Sequence, residues 1–279
     1  MHNQLSFNGI KQIKLILFVL LGLTFSLYGQ KENFNEQDFF NRIKTSYYTL
    51  ADTELENFVA LVSSKKVEIF AQEMWQNPEI FPIQWIWFNP DKIYLSQQGV
   101  PKIEGDKYQE YQELVDGLKL QMRGILLDLQ RFYLKGLYES INPDYNLQFN
   151  EEAVQINFDT RDERTLTKVK YLFGYNGLLI LIQLHYPEEQ KQIVIYPKFK
   201  IAKDKWLCTG WSVQTYVLNE ITSGFNVTLK SNFINEVWVP GEILIEVQKS
   251  DNKGQQFYDE IRLRNYMFNQ PIQIQKGTN

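Results

Sequence analysis

The chain has one cysteine, Cys208, and two histidines, His2 and His185. An intramolecular disulfide is therefore excluded, as is a zinc site built on several cysteines or histidines. There is no Gly-x-Ser-x-Gly elbow, no Walker loop and no Gly-x-Gly-x-x-Gly turn. Basic residues are not in excess: 29 Lys and Arg stand against 33 Asp and Glu, a net charge of −4. That balance argues against nucleic acid as a partner and against electrostatic docking on anionic lipid. No Pro-rich linker, internal repeat or low-complexity tract divides the chain. The absences together point away from an enzyme: no catalytic residue, cofactor or metal is assigned.

Aromatic residues, by contrast, make up 15% of the 279 residues and hydrophobic ones 44%, which excludes general disorder. The N-terminus has the pattern of an export signal. Lys11 and Lys14 precede a short apolar run, Leu15 to Phe25, and Ser26-Leu27-Tyr28-Gly29 offers a small residue for cleavage. The run is short for a membrane span, and an uncleaved anchor is the alternative reading. No cysteine follows it, so a bacterial lipid anchor is not expected at the new N-terminus. Residues 1–29 are read as a signal peptide and residues 30–279 as one exported domain, placed in the periplasm of a Gram-negative bacterium.

Within that domain, Asn35 is positioned to cap a helix whose stripe is Phe39, Phe40, Ile43, Tyr47 and Leu50. Leu55 to Ala71 suits helix or strand, and strands are favoured after Glu56. Ile83 to Ser96 reads as a hairpin about an Asn-Pro-Asp turn, with Ile83, Trp85 and Trp87 on one face and Gln84, Ile86 and Phe88 on the other. An arm apolar on nearly both faces asks for cover on both. Asp106 to Ser140 is the longest helical pattern. Tyr111, Val115, Leu118, Met122, Ile125, Leu129 and Phe132 form a seam at spacings of four and three, on one long helix or on two broken near Gly117 or Gly124. The stretch is either a core-packing helix or a lid with a Met and Leu stripe. From Tyr145 onwards, alternating strands and the Tyr175-Asn176-Gly177 turn predict an antiparallel meander. Val217 to Gly224 is the nearest approach to a domain seam.

Chemistry-bearing clusters are few. His185 ends a strand before Pro187 and reads as a polar strand-end residue. Asp159 to Thr165 alternates acids with Arg161 and Arg164, as a solvated turn does, and not as a carboxylate pair for glycoside hydrolysis. Cys208, among apolar residues, reads as an inert buried thiol. What remains is surplus apolar surface on strand arms. A gap under the helices would bury an acyl chain at roughly 0.8 kcal/mol per methylene.

In order along the chain, these features resemble the periplasmic lipoprotein-carrier superfamily (LolA-like). "WIWFNPDKIYLS" is similar to that family's aromatic strand, Pro turn and return strand, with Pro90 and Lys92 at the matching places. The stretch from Leu134 to Tyr196 resembles its helix, strand, turn and hairpin, and "VWVPGEILIEV" and "IRLRNYMFN" its closing strands. The resemblance implies an α+β fold: a curved antiparallel half-barrel whose concave face is covered by helices, here with a long helical insertion near 106–140. It implies a cavity for a lipid or an acylated protein, with an envelope membrane protein as a further candidate partner. Trp85, Trp87, Tyr171, Phe173, Ile180 and Ile182 are the expected lining, with Met122 and Leu126 on the lid. Carriers of that family latch the lid with an arginine just before the turn proline; that position is Asn89 here. The competing expectation is a non-catalytic structural or interaction module of the envelope, its sheet fully plugged.

Overall fold

In a computed structural model, residues 34–162, 165–248 and 257–271 are described. The expected signal peptide lies outside the described residues. Among the described residues there are three α-helices: α1 (Glu36–Ser46), α2 (Lys65–Trp75) and α3 (Asp106–Leu129). The strands are β1 (Asn57–Ser64), β2 (Ile83–Phe88), β3 (Lys92–Gln97), β4 (Asn146–Phe149), β5 (Ala153–Asp162), β6 (Thr165–Gly174), β7 (Leu179–Tyr186), β8 (Lys191–Ala202), β9 (Lys205–Val217), β10 (Glu220–Ile234), β11 (Val237–Gln248) and β12 (Phe257–Phe268).

All twelve strands form one antiparallel sheet in the order β3-β2-β1-β12-β11-β10-β9-β8-β7-β6-β5-β4. From β4 to β12 it is the expected meander. The N-terminal hairpin then extends it, because β1 pairs with β12 (Phe58 opposite Phe268, Val62 opposite Leu263). The sheet stays open, with β3 and β4 as its edges.

One face carries the core. The register runs Trp87–Phe58–Phe268 and Ile83–Val62–Leu263 at one end. It continues Ile261–Ile243–Leu229 and Ile245–Val227–Trp211 in the middle, and Ile195–Ile182–Tyr171–Ile156 at the other end. These side chains, with the apolar stripes of the helices, form a single buried cluster.

Short turns make the meander possible. Three two-residue hairpin turns, Lys203-Asp204, Leu218-Asn219 and Asn235-Glu236, have positive φ at both positions, which matches the twist of the flanking strands. The expected seam at Val217–Gly224 is thus the tight β9–β10 hairpin, and the sheet runs through it. At Gly210 (φ +142°) a Cβ would meet the Val227 carbonyl, so only glycine lets β9 and β10 approach there.

The helices follow their sequence signals with two corrections: α1 ends at Ser46, before Tyr47 and Leu50 of its expected stripe, and part of the expected strand after Glu56 is helix. Asn35 caps α1 by accepting from the Asp38 N–H at 3.1 Å, and Phe39, Phe40 and Ile43 are buried. The favoured strand after Glu56 is β1, but it ends at Ser64. There the Ser64 hydroxyl accepts from the Val67 N–H and starts α2. Val67, Phe70 and Ala71 are then buried at helical spacing, and Ile69 turns outward. α3 runs unbroken through Gly117 and Gly124. Both glycines are exposed with open space around them, while the seam Tyr111, Val115, Leu118, Met122, Ile125 and Leu129 is buried. Burial along one stripe outweighs two glycine penalties of ~1 kcal/mol each. The break comes later, at a π-helical turn, Gln130–Leu134, where Leu50 N–H and Ala51 N–H bond the carbonyls of Tyr133 and Leu134.

Candidate functional site

The hairpin β2–β3 builds one wall of the candidate site. Ile93 stands opposite Trp87 and Leu95 opposite Trp85, so all four face the core side. β3 is an edge strand, and α3 lies along it. The helix is tied to the strand at both ends. At one, Lys119 Nζ donates to Gln97 Oε1 at 2.9 Å. At the other, Lys135 Nζ pairs with Asp91 Oδ2 at 3.2 Å and Gln130 Nε2 donates to the Asp91 carbonyl.

Between these ties is a groove of about 510 Å³ lined by Asp91, Ile93, Tyr94, Leu95, Arg123, Leu126, Leu127 and Gln130. Its floor is Ile93, Leu95 and Leu126, all packed against the main core. Its rim holds Tyr94, 40% exposed, and Leu127, 61% exposed. Arg123 is exposed, and its side chain makes no hydrogen bond or ion pair with any described residue. A second hollow of about 200 Å³ shares Leu127 and Gln130 and continues past Arg131, Lys135, Glu139 and Ser140. Asp128 lies beside it, buried, with Arg131 at 2.9 Å. Burial pushes its carboxyl up to about 6, and the arginine opposes that rise.

The predicted lining residues are not gathered in one cavity. Trp85 and Trp87 are fully buried and pack on Phe58, at ring distances of 4.9 and 5.4 Å. They stand one strand behind the groove floor. Tyr171 and Phe173 lie on β6, near the opposite edge. Phe173 meets Phe39 of α1 edge-on at 5.9 Å, and the Tyr171 hydroxyl is 2.9 Å from Ser140 Oγ. Ile182 is buried on β7.

Ile180 is a correction: it is 44% exposed. A bulge places Phe173 opposite Leu179 and Leu172 opposite Leu181, so Ile180 is the extra residue. Leu179 takes the inward place instead. Of the two lid residues, Met122 is buried in the seam and Leu126 lines the groove.

No family model, curated protein or solved structure matches the chain.

Several groove residues carry no sequence signal of their own. Ile93 and Leu95 alternate with Tyr94 on the return arm, but Arg123, Leu127 and Gln130 lie on the polar flank of the seam. Only the packing of α3 along β3 turns them into a wall. Asn89, at the expected latch position, donates from Nδ2 to the carbonyls of Ala51 and Leu55. The link from this turn to α3 and its π turn comes from Asp91.

The opposite face of β2 needs no second layer among the described residues. Ile86 and Val59 are neighbours there, with Tyr94 and Met267 across from them, and the rings of Phe88 and Tyr94 meet at 6.1 Å.

Cys208 is fully buried and its thiol is pushed up to about 12 by that burial. Among the described residues, no group of three or more His, Cys, Asp and Glu is arranged to hold a metal, and no helix is long and apolar enough to cross a membrane.

Proposed function

We propose that the chain is an exported, non-catalytic binding protein that holds a lipid, a lipoprotein acyl chain or another hydrophobic ligand on an antiparallel half-barrel. Its open twelve-stranded sheet with helices on the apolar face is compatible with that architecture. The groove between β3 and α3 is the observation that carries the reading. Its volume falls in the ~300–1,000 Å³ range of small-molecule sites. Its floor is apolar and in register with Trp85 and Trp87, and Arg123 stands at the rim without a partner among the described residues. A ligand with an apolar tail and an acidic head matches that distribution. Eight methylenes on the floor would contribute roughly 6 kcal/mol before the cost of association.

The second reading is a plugged module that binds no lipid. The packing of Trp85, Trp87, Met122, Tyr171, Phe173 and Ile182 against other protein side chains favours it.

The two readings separate in one experiment. Protein purified from the envelope of its own host is analysed by native mass spectrometry with lipid extraction, then titrated with a fluorescent fatty acid. The carrier reading expects stoichiometric lipid, or saturable binding that Leu126→Glu weakens by roughly ten-fold without loss of the folded state. Ligand-free protein that also fails to bind the fatty acid leaves the plugged module.

A further inference from the structure

The face of β5, β6 and β7 turned away from the helices carries a hollow of different character. The register sets Asp159, Lys168 and His185 side by side across the three strands. One step along, it sets Asn157, Lys170 and Gln183 side by side. Residues two apart share a face, and Phe158 and Val169 between them are buried on the core side, so these six point outward. They line a hollow of about 260 Å³. One water needs only ~10–15 Å³, so there is room for a ligand of several atoms.

The wall is rich in side-chain donors with nothing to donate to. The side chains of Lys168, Lys170, Gln183 and His185 make no hydrogen bond or ion pair with any described residue. Asn157 sharpens the point. Its Oδ1 accepts from Gln155 Nε2 at 2.8 Å, which leaves Nδ2 as its free end, and Nδ2 is buried without a partner. A buried donor left unpaired costs ~1–3 kcal/mol, which an acceptor oxygen entering the hollow would recover. Asp159 is the one acid among the lining residues, against two lysines.

The geometry points to an oxyanion site, on this outer face of β5–β7, for a phosphate group. Lys168 and Lys170 supply charge, and Asn157 Nδ2, Gln183 and His185 supply directed donors. The site is separate from the groove along α3 and does not rest on the lipid reading. A phosphate can be free or can head a phospholipid, and the chemistry on the wall is the same.

The test is a titration of the full chain with inorganic phosphate at constant ionic strength, followed by the imidazole resonances of His185. These are assigned by their loss in His185→Gln. A saturable shift is expected. Lys168→Ala/Lys170→Ala should weaken it by roughly ten-fold or more, and Lys168→Arg/Lys170→Arg should keep most of it. Both lysines lie on the outer face, and an unchanged melting curve checks that the variants fold. Co-sedimentation with phosphatidylglycerol vesicles, against phosphatidylcholine, identifies the source. Vesicle binding that the alanine pair abolishes and phosphate competes for assigns a lipid headgroup. Saturable phosphate binding without vesicle binding assigns free phosphate. A response that chloride reproduces, or that persists in the alanine pair, overturns the site.

Discussion

At one end of the sheet, α1 packs on β6 through Phe39 and Phe173, and the two residues after it hold β7, β9 and β11 by hydrogen bonds. At the other, α3 lies along β3 and is tied to it by side chains near the surface. The Tyr47 hydroxyl donates to the Gly177 carbonyl at 2.9 Å and accepts from the Leu179 N–H at 2.6 Å. The Tyr48 hydroxyl donates to the Trp238 carbonyl and accepts from its N–H, and Tyr48 N–H bonds the Trp206 carbonyl. These bonds lock a plug. The Asp91–Lys135 pair, by contrast, is 39% and 33% exposed, where such pairs contribute ~0–1 kcal/mol. The core-facing stripe of α3 is buried as deeply as that of α1, so the helix as a whole is not loose. Its seal against the edge strand is the weak part, and the groove opens there.

The contrast breaks most sharply by truncation. Phe173→Ala, under α1, should destabilise by ~3–5 kcal/mol in urea unfolding, because Phe39 and Tyr171 cannot close the gap. Tyr47→Phe should cost ~1–3 kcal/mol by orphaning a buried N–H and a carbonyl. Leu126→Ala, on the partly buried groove floor, should cost less than either truncated aromatic, roughly 1–2 kcal/mol. If Leu126→Ala equals Phe173→Ala, the groove is ordinary core and the contrast fails.

Much of this arrangement was readable from local pattern. Asn35 with its stripe marked α1, the seam from Tyr111 to Phe132 marked α3, and the alternation after Tyr145 marked the meander. Each of those signals is completed within a few residues. The failures are non-local or depend on a single residue of register. Ile180 shares parity with Ile182, and one bulged residue sends it to the other face. Val67 and Ile69 alternate as a strand would, until the Ser64 cap turns the chain into α2. The pairing of β1 with β12 joins residues some two hundred apart, and nothing in either strand announces the other. The groove exists only because α3 settles along β3, so its polar wall had no signature in sequence.

Asp128 gives the α3 end a pH dependence. Its folded pKa is raised to about 6 from 3.8 by burial. The folded state therefore holds its proton more tightly than the unfolded chain. The stability this contributes is complete below about 3.8 and is lost as pH rises through about 6. At the other end, burial pushes the Tyr47 hydroxyl still further above its already alkaline range, so it does not titrate in this window. Asp128→Asn should flatten the fall in urea midpoint between pH 5 and pH 7.5, a difference on the order of 1–3 kcal/mol. An identical slope in wild type and variant would show that Arg131 compensates the buried charge fully.

The smallest expected effect tests the latch itself. Asp91→Ala removes the ion pair to Lys135 but keeps the backbone carbonyl that Gln130 bonds. Global stability should change by no more than ~1 kcal/mol. The local consequence is larger in proportion, because the last turns of α3 and the π segment open without unfolding the rest. Losing ~1 kcal/mol of local stability raises amide exchange about five-fold. The expected outcome is faster exchange in residues 126–134, with residues 36–50 unchanged. High salt should produce part of the same change in wild type by screening the pair. Faster exchange in both segments would mean that the two ends open together. No change in either would mean that Lys119–Gln97 and the buried seam hold α3 without the Asp91 pair, and that a ligand must enter by some other edge.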